Sequence, residues 1–206
     1  MKSPPRPVYA IVLAAGESRR CAPRNKLFLP WGKSVILESV VSRVLASRVT
    51  ATVVVTGHQA DLVNSLLEKS PSRLVFNTDY RSGMGSSLIS GIDYWVAQPD
   101  LSSEAGFLVV LGDQPFISPE IIDRVIEAYQ SSQAEIVVPV NRGRRGHPPI
   151  FHRCLTEEIR KVAGRWGARE VLRRYPEKIL PVEVESEEIL QDIDTLEDWG
   201  RTYASN

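Results

Sequence analysis

The chain has 206 residues, with 25 lysines and arginines against 25 aspartates and glutamates, and 43% of it is hydrophobic. That length and apolar content suit one globular domain with a full core, and the balanced charge argues against a dedicated nucleic-acid binder. Cys21 and Cys154 make neither a disulfide framework nor a metal cluster, and no apolar run is long enough to cross a membrane. A reduced, cytoplasmic protein is the expectation.

Residues 1–7, MKSPPRP, lack the apolar core of an export signal, and their prolines disfavour regular structure. They predict a short disordered lead-in, followed by a single domain over residues 8–206. Ile11–Leu13, Val53–Val55, Phe107–Leu111 and Ile136–Val138 are apolar on both alternating faces. This is the pattern of strands buried between helices in a parallel sheet. Leu37, Val40, Val41, Val44 and Leu45 form the stripe of one amphipathic helix between them. Ile121, Ile122, Val125, Ile126 and Tyr129 form another, opened by Ser118 as N-cap and Pro119 in the first turn. The fold class is therefore α/β and Rossmann-like, with a mostly parallel central sheet flanked by helices. Such sheets bind ligands at the carboxyl ends of their strands.

The first strand runs into LAAGESRRCAPRNK, where Ala14, Ala15 and Gly16 precede Arg19, Arg20, Arg24 and Lys26. Small side chains admit a polyanion to the backbone N–H groups and fixed cations neutralise it, so the turn reads as a phosphate-binding loop. An ordinary turn with surface arginines is the plainer alternative. Gly32, Lys33 and Ser34 imitate the end of a Walker A motif, but Leu27 stands where its first glycine belongs. Gly83 and Gly85 open a dinucleotide-type pattern that Leu88 breaks, which gives nicotinamide binding little weight.

Phe107–Leu111 leads through Gly112 into Asp113. A buried strand thus ends at a carboxylate, its glycine neighbour leaves room for a ligand, and Pro115 stops the strand. One or two carboxylates plus substrate phosphates suffice for Mg²⁺. Asp194 offers the second carboxylate, with Asp192 on the same side of an extended segment. Capping of a following helix is the alternative for Asp113 and the commoner fate of an aspartate placed like Asp194. In RGRRGHPPIF, His147 lies between Gly146 and Pro148 among three arginines, which suggests a mobile, anion-friendly loop.

Taken together, LAAGESRR, KLFLPWGK, FLVVLGDQP, RGHPPIF and LQDIDTLEDW resemble nucleotidyltransferases with a sugar-nucleotide-pyrophosphorylase-like fold. Within these they look most like the molybdenum cofactor cytidylyltransferase branch, over roughly Tyr9 to Tyr203. The resemblance implies Mg²⁺, or Mn²⁺ in its place, on Asp113 and Asp194, with Asp192 the weaker candidate. It implies that Leu13, Ala14, Ala15, Gly16, Arg20 and Lys26 receive the triphosphate, with Lys26, Arg20 and Asp113 catalytic. NTDYRSGMGSSLISGI resembles the stretch near the nucleotide base, which adds Asn77, Gly83, Ser86 and Ser87, while Gly85 permits close backbone approach. The segment Gly146, His147 and Pro148 is implied on the acceptor side.

The implied reaction moves CMP from CTP to the phosphate of a molybdopterin-type acceptor, with a molybdoenzyme or its maturation chaperone as protein partner. LAAG rather than LAGG favours CTP over GTP. Alternatives are a guanylyltransferase, a transferase acting on another small phosphate, or a noncatalytic nucleotide-binding maturation partner. One departure stands out, because the family usually reads RMG after the LAAG turn, whereas here Arg20 is followed by Cys21, Ala22 and Pro23, so a glycine able to take positive φ is replaced by alanine beside a rigid proline. A stiffer or re-routed loop is expected there, and Cys21 has no use as a catalytic thiol.

Overall fold

The computed structural model describes residues 6–164 and 167–203. In chain order its regular elements begin with β1 (Val8–Ala14), the small hairpin β2 (Pro30–Trp31) and β3 (Ser34–Val35), and α1 (Ile36–Leu45). Next come β4 (Ala51–Thr56), α2 (Ala60–Leu66), β5 (Arg73–Phe76), α3 (Met84–Val96), β6 (Gly106–Leu111) and α4 (Pro119–Ser131). The remainder is β7 (Ile136–Asn141), β8 (Arg144–Arg145), β9 (Ile150–His152), α5 (Thr156–Val162), α6 (Ala168–Arg174), β10 (Ile179–Glu183) and α7 (Leu196–Tyr203).

The central sheet runs β10-β7-β9-β6-β1-β4-β5, with β8 added beside β7. Its pairings β1–β4, β1–β6, β4–β5 and β7–β10 are parallel. The short β9 is antiparallel to both β6 and β7 and joins the two parallel groups. The mostly parallel Rossmann-like sheet is thus what the apolar runs predicted.

Alternation explains why those runs are apolar throughout. Val8, Ala10, Val12 and Ala14 of β1 face α1 and α4, where Leu37, Val40, Val41, Val44, Ile122, Val125 and Ile126 meet them. Ile11 faces the other layer, with Leu88, Ile92 and Trp95 of α3, Ile159 of α5 and Val171 of α6. Ser118 caps α4 as its sequence predicted, its hydroxyl accepting from the Ile121 N–H at 3.4 Å. A third cluster, Leu29, Trp31, Ile36 and Ile193, lies under β2 and β3 and fastens the segment before α7 to the body.

Residues 1–5 of the expected lead-in fall outside the described residues, but Arg6 and Pro7 correct that expectation. Arg6 is buried, its guanidinium 3.9 Å over the Tyr129 ring and donating to the carbonyls of Tyr129, Ser132 and Ala134. The Pro7 carbonyl accepts from the Gly106 N–H at 2.9 Å. The carbonyl partners of Arg6 lie 123 to 128 positions away, and proline content carries no trace of them. No helix of the described residues is long and apolar enough to cross a membrane.

Candidate active site

β1 and β6 are neighbours in parallel register, Leu13 opposite Leu111, so the LAAG turn and Asp113 emerge side by side at the carboxyl rim. Between them opens a cleft of about 670 Å³, lined by Leu13, Ala14, Ala15 and Gly16 among others. A Cβ at Gly16 would meet nothing within 4 Å, so the space above the turn is free for a ligand. The Ala15 carbonyl is occupied by the His58 N–H at 3.1 Å, from the loop after β4.

Beyond the turn the backbone is folded by its own side chains. Ser18 takes φ of 50° and donates through its hydroxyl to Asn25 Oδ1 at 2.8 Å, and that oxygen also accepts from the Leu27 N–H. Asn25 Nδ2 donates to Gln59 Oε1 at 2.9 Å. These bonds deliver Lys26 into the cleft. Arg20 and Arg19 line it too, Arg20 largely exposed.

Gly112 serves a different end from the one its sequence suggested. A Cβ there would lie 2.8 Å from the Leu13 carbonyl oxygen, to which the Gly112 N–H donates at 3.0 Å. The glycine lets β6 lie against the end of β1 and leaves no ligand space of its own. The next residue, Asp113, places Oδ2 2.5 Å from Lys26 Nζ, and Asp194 Oδ1 is 3.1 Å from the same ammonium. Arg20 holds Asp194 Oδ2 at 2.7 Å. Burial pulls the Lys26 ammonium down, but the two carboxylates outweigh it and raise the group above its ordinary value.

Neither aspartate caps a helix. Ser118 caps α4, while Thr195 and Asp198 open α7 by exchanging hydrogen bonds, Thr195 N–H to Asp198 Oδ2 at 2.9 Å and Asp198 N–H to Thr195 Oγ at 3.1 Å. Neither carboxylate is committed to a helix cap, because other residues do the capping. Their segments are also bonded directly, the Ile193 N–H donating to the Asp113 carbonyl at 3.2 Å. Asp192 lines the same cleft, and limited solvation together with Asp194 and Asp113 raises its carboxyl above the ordinary range.

The family departure becomes intelligible here. Cys21 is buried and donates its thiol to the Asp194 carbonyl at 3.4 Å, so the altered loop is tied to the second carboxylate. Positive φ is taken by Ser18, and Ala22 is extended with φ of −53°. Burial pushes the Cys21 thiol up, against the pull of Lys26.

The segment 77–87 is divided between support and lining. Gly83 and Ser87 line the cleft; Asn77 and Ser86 do not. Asn77 is buried and donates to the hydroxyls of Ser86 at 2.9 Å and Ser87 at 3.1 Å, and Ser86 donates to the carbonyls of Asp79 and Gly83. Gly85 does permit close approach, but to the chain itself, since a Cβ there would lie 1.7 Å from the Gly164 carbonyl oxygen. Tyr80, Arg81 and Met84 line the cleft and were not singled out in the sequence, although they stand inside the flagged segment. Glu17 was also missed; it pairs with Arg19 at 2.5 Å and Arg81 at 3.7 Å, joining the two lips of the cleft.

Gly146, His147 and Pro148 do not line the cleft, and the expected mobile basic loop is a packed connection. The Gly146 N–H donates to the Pro139 carbonyl at 2.8 Å, and the His147 N–H to that of Ile189 at 2.9 Å. Arg144 and Arg145 form β8 against β7, and Arg142 pairs with Glu187 at 3.5 Å. Hairpin geometry absorbs the positive run that composition alone leaves unassigned.

Among the described residues no group of three or more His, Cys, Asp or Glu side chains is arranged as a metal cage. Asp113 and Asp194 nevertheless fit a shared divalent cation, since Asp113 Oδ1 is buried without a hydrogen-bond partner and both carboxylates border the cleft. Such an ion needs further oxygens from a ligand.

Residues 10–179 match the family described as the MobA-like NTP transferase domain. The chain is 30% identical to nicotine blue oxidoreductase of Paenarthrobacter nicotinovorans, over 94% of this chain and 95% of that one. It is 29% identical to the molybdenum cofactor cytidylyltransferase of Escherichia coli K12, over 93% of each. Rv0371c of Mycobacterium tuberculosis H37Rv, solved as a complex with manganese, superposes with a TM-score of 0.80 at 24% identity, over 97% of this chain and all of that one. At that identity the superposition speaks for the fold.

Proposed function

This chain belongs to the MobA-like NTP transferase domain family, and from that premise we propose that its cleft transfers CMP from CTP to the phosphate of molybdenum-loaded molybdopterin. The observation that carries the proposal is Lys26, held between Asp113 and Asp194 directly beneath the open LAAG turn. The cytidylyltransferase relative and the methyl group of Ala15 support CTP as the nucleotide.

In this reading the Ala15 and Gly16 amides and the Lys26 and Arg20 cations take the triphosphate. Lys26 exchanges its carboxylate partners for phosphate oxygens. A phosphate oxygen of the acceptor attacks the α-phosphorus, the bond to the β-phosphate oxygen breaks, and pyrophosphate leaves with the bonding electrons. The acceptor phosphate is already ionised, so the chain needs no general base. Its residues align the two reactants and neutralise the charge on the phosphates. Asp113 and Asp194 would hold Mg²⁺, or Mn²⁺ in its place, which when bound supplies positive charge to the phosphate oxygens. Gly83 and Ser87 border the base, with Asn77 and Ser86 bracing them. The enzyme works in the cytoplasm, and a molybdoenzyme or its maturation chaperone receives the product.

The test is pyrophosphate release with Mg²⁺, each of the four NTPs and molybdenum-loaded molybdopterin. CTP-selective release, lost in Asp113→Ala, is the expected result. GTP selectivity moves the assignment to guanylyl transfer, release only with another small phosphate changes the acceptor, and CTP binding without release marks a noncatalytic partner. A second reading as an oxidoreductase is favoured by the relative acting on nicotine blue. Oxidation of a reduced nicotinamide cofactor in the presence of a dye acceptor, without any NTP, would establish it instead.

A further inference from the structure

β1 lies between β4 and β6, so the turn after β4 stands on the side of the LAAG turn away from Asp113. Backbone bonds tie that turn to both neighbours, the His58 N–H donating to the Ala15 carbonyl at 3.1 Å and the Asn77 N–H to the Thr56 carbonyl at 2.8 Å. Tyr80 comes in from beyond the end of β5 and rests over Gly57. A Cβ on Gly57 would lie 2.6 Å from the Tyr80 Cβ and 2.8 Å from the Ala15 Cβ, so the two side chains share the space this glycine leaves. Ala15 is buried, and its methyl group therefore acts on the cleft through what it packs against. Tyr80 is half-buried and is the only aromatic side chain lining the cleft among the described residues. Its ring is bordered by the His58 ring, with centroids 6.4 Å apart, and by the Arg81 guanidinium at 5.4 Å. Among the described residues its hydroxyl has no hydrogen-bond partner.

A ring packed at its root against Gly57 and Ala15 cannot retreat without moving two strand-end turns, so it forms a wall of the cleft. Lys26 and the carboxylates mark the triphosphate end, and a base carried on that triphosphate projects away from Asp113, toward residues 80–87. A purine exceeds a pyrimidine by a fused five-membered ring, and a fixed wall rejects the longer base by steric overlap. Resting on the CTP site of the proposed function, we infer that Tyr80 is a specificity-determining residue: its ring limits the depth of the base site to a pyrimidine. Gly57 and the Ala15 methyl are positioning residues that hold the ring at that depth. Selection by depth separates CTP from GTP and is indifferent to the ring substituents of a pyrimidine.

The experiment measures, by calorimetry with Mg²⁺, the affinity of the full chain for the nonhydrolysable α,β-methylene analogues of CTP and GTP, while thermal melts report folding. Wild type is compared with Tyr80→Phe, Tyr80→Ala, Gly57→Ala and the double variant Gly57→Ala with Tyr80→Ala. Tyr80→Phe is expected to stay within about twofold of wild type, because the wall is the ring and not the hydroxyl. In Tyr80→Ala the ratio of the two affinities is expected to shift about 10-fold or more toward the GTP analogue. Gly57 does not line the cleft, yet Gly57→Ala is expected to weaken the CTP analogue about 10-fold by driving the ring inward. The double variant is expected to return to the CTP affinity of Tyr80→Ala alone. A ratio within about twofold of wild type in folded Tyr80→Ala overturns the inference, even if both analogues bind equally more weakly, which would make the ring a stacking platform for any base. Should Gly57→Ala fail to fold, the Tyr80 variants decide. Wild type that prefers the GTP analogue, or binds neither, overturns the proposed nucleotide before any variant is compared, and the inference with it.

Discussion

Charged groups gather at both ends of the sheet, but they are held in opposite ways. At the carboxyl rim, Lys26 rests on the side chains of Asp113 and Asp194, and Arg20 on Asp194. At the amino rim, the Arg6 guanidinium is spent on three backbone carbonyls and the Tyr129 ring, with Glu104 at 3.6 Å. Nearby, Lys178 pairs with Glu135 at 2.8 Å. A phosphate can take the place of a carboxylate side chain, since both are anions on the same cation. It cannot take the place of a carbonyl belonging to α4. Exchangeable partners beside a cleft suit one cluster to the binding proposed for it, and backbone partners make the other a clamp.

The sharpest way to break this contrast is at Asp113. Asp113→Asn keeps the shape and removes the charge, and pyrophosphate release is expected to fall about 100- to 1,000-fold with little change in melting temperature. A large loss of stability with activity intact would make the carboxyl rim a clamp as well. Arg6→Met is the mirror experiment. Leaving buried carbonyls unpaired is expected to cost about 2–4 kcal/mol, lowering the melting temperature by about 5–15 °C while nucleotide affinity is unchanged at low temperature.

Smaller effects sharpen the contrast further. Cys21→Ala removes one hydrogen bond to the Asp194 carbonyl, and nucleotide affinity measured by calorimetry is expected to weaken about fivefold, with Cys21→Ser recovering most of it. Equal affinities in all three proteins would detach the altered loop from the site. The smallest effect belongs to Glu135, whose carboxyl the Lys178 hydrogen bond holds below its ordinary value of 4.5. Its folded pKa is depressed, so its contribution is present above that value and is lost as pH falls through the folded pKa. Thermal melts between about pH 3 and pH 6 are therefore expected to show a shallower acid loss in Glu135→Gln than in wild type, the difference being small for a partly exposed pair.

The parts of the molecule that were legible in the sequence are those governed by local pattern. Continuous apolar runs marked β1, β4, β6 and β7, and the stripes marked α1 and α4. The LAAG turn and Asp113 were legible because a ligand-binding rim follows strand ends. What escaped depends on contacts between distant residues. β9 is three residues long and follows two prolines, so no periodicity announces an antiparallel insertion. Gly112 and Gly85 looked like openings for a ligand because a sequence cannot show that the chain's own carbonyls fill the space. Tyr80, Arg81 and Met84 lie beside residues that were chosen for their small size or hydroxyls, and only the turn of the backbone shows which ones face the cleft.

The hydrogen bond from Lys26 to Asp194 spans 168 positions of sequence. During synthesis Lys26 leaves the ribosome early, and Asp113 joins it once β6 has paired with β1. Asp194 arrives later, carried by Ile193, which is buried with Leu29, Trp31 and Ile36. A chain in which only β1 and β6 have paired therefore holds one carboxylate beside Lys26 and acquires the second once the segment before α7 has docked. Assembly of the charged cluster is in this way a readout of long-range folding, since both carboxylates meet Lys26 only when two distant segments have docked against it.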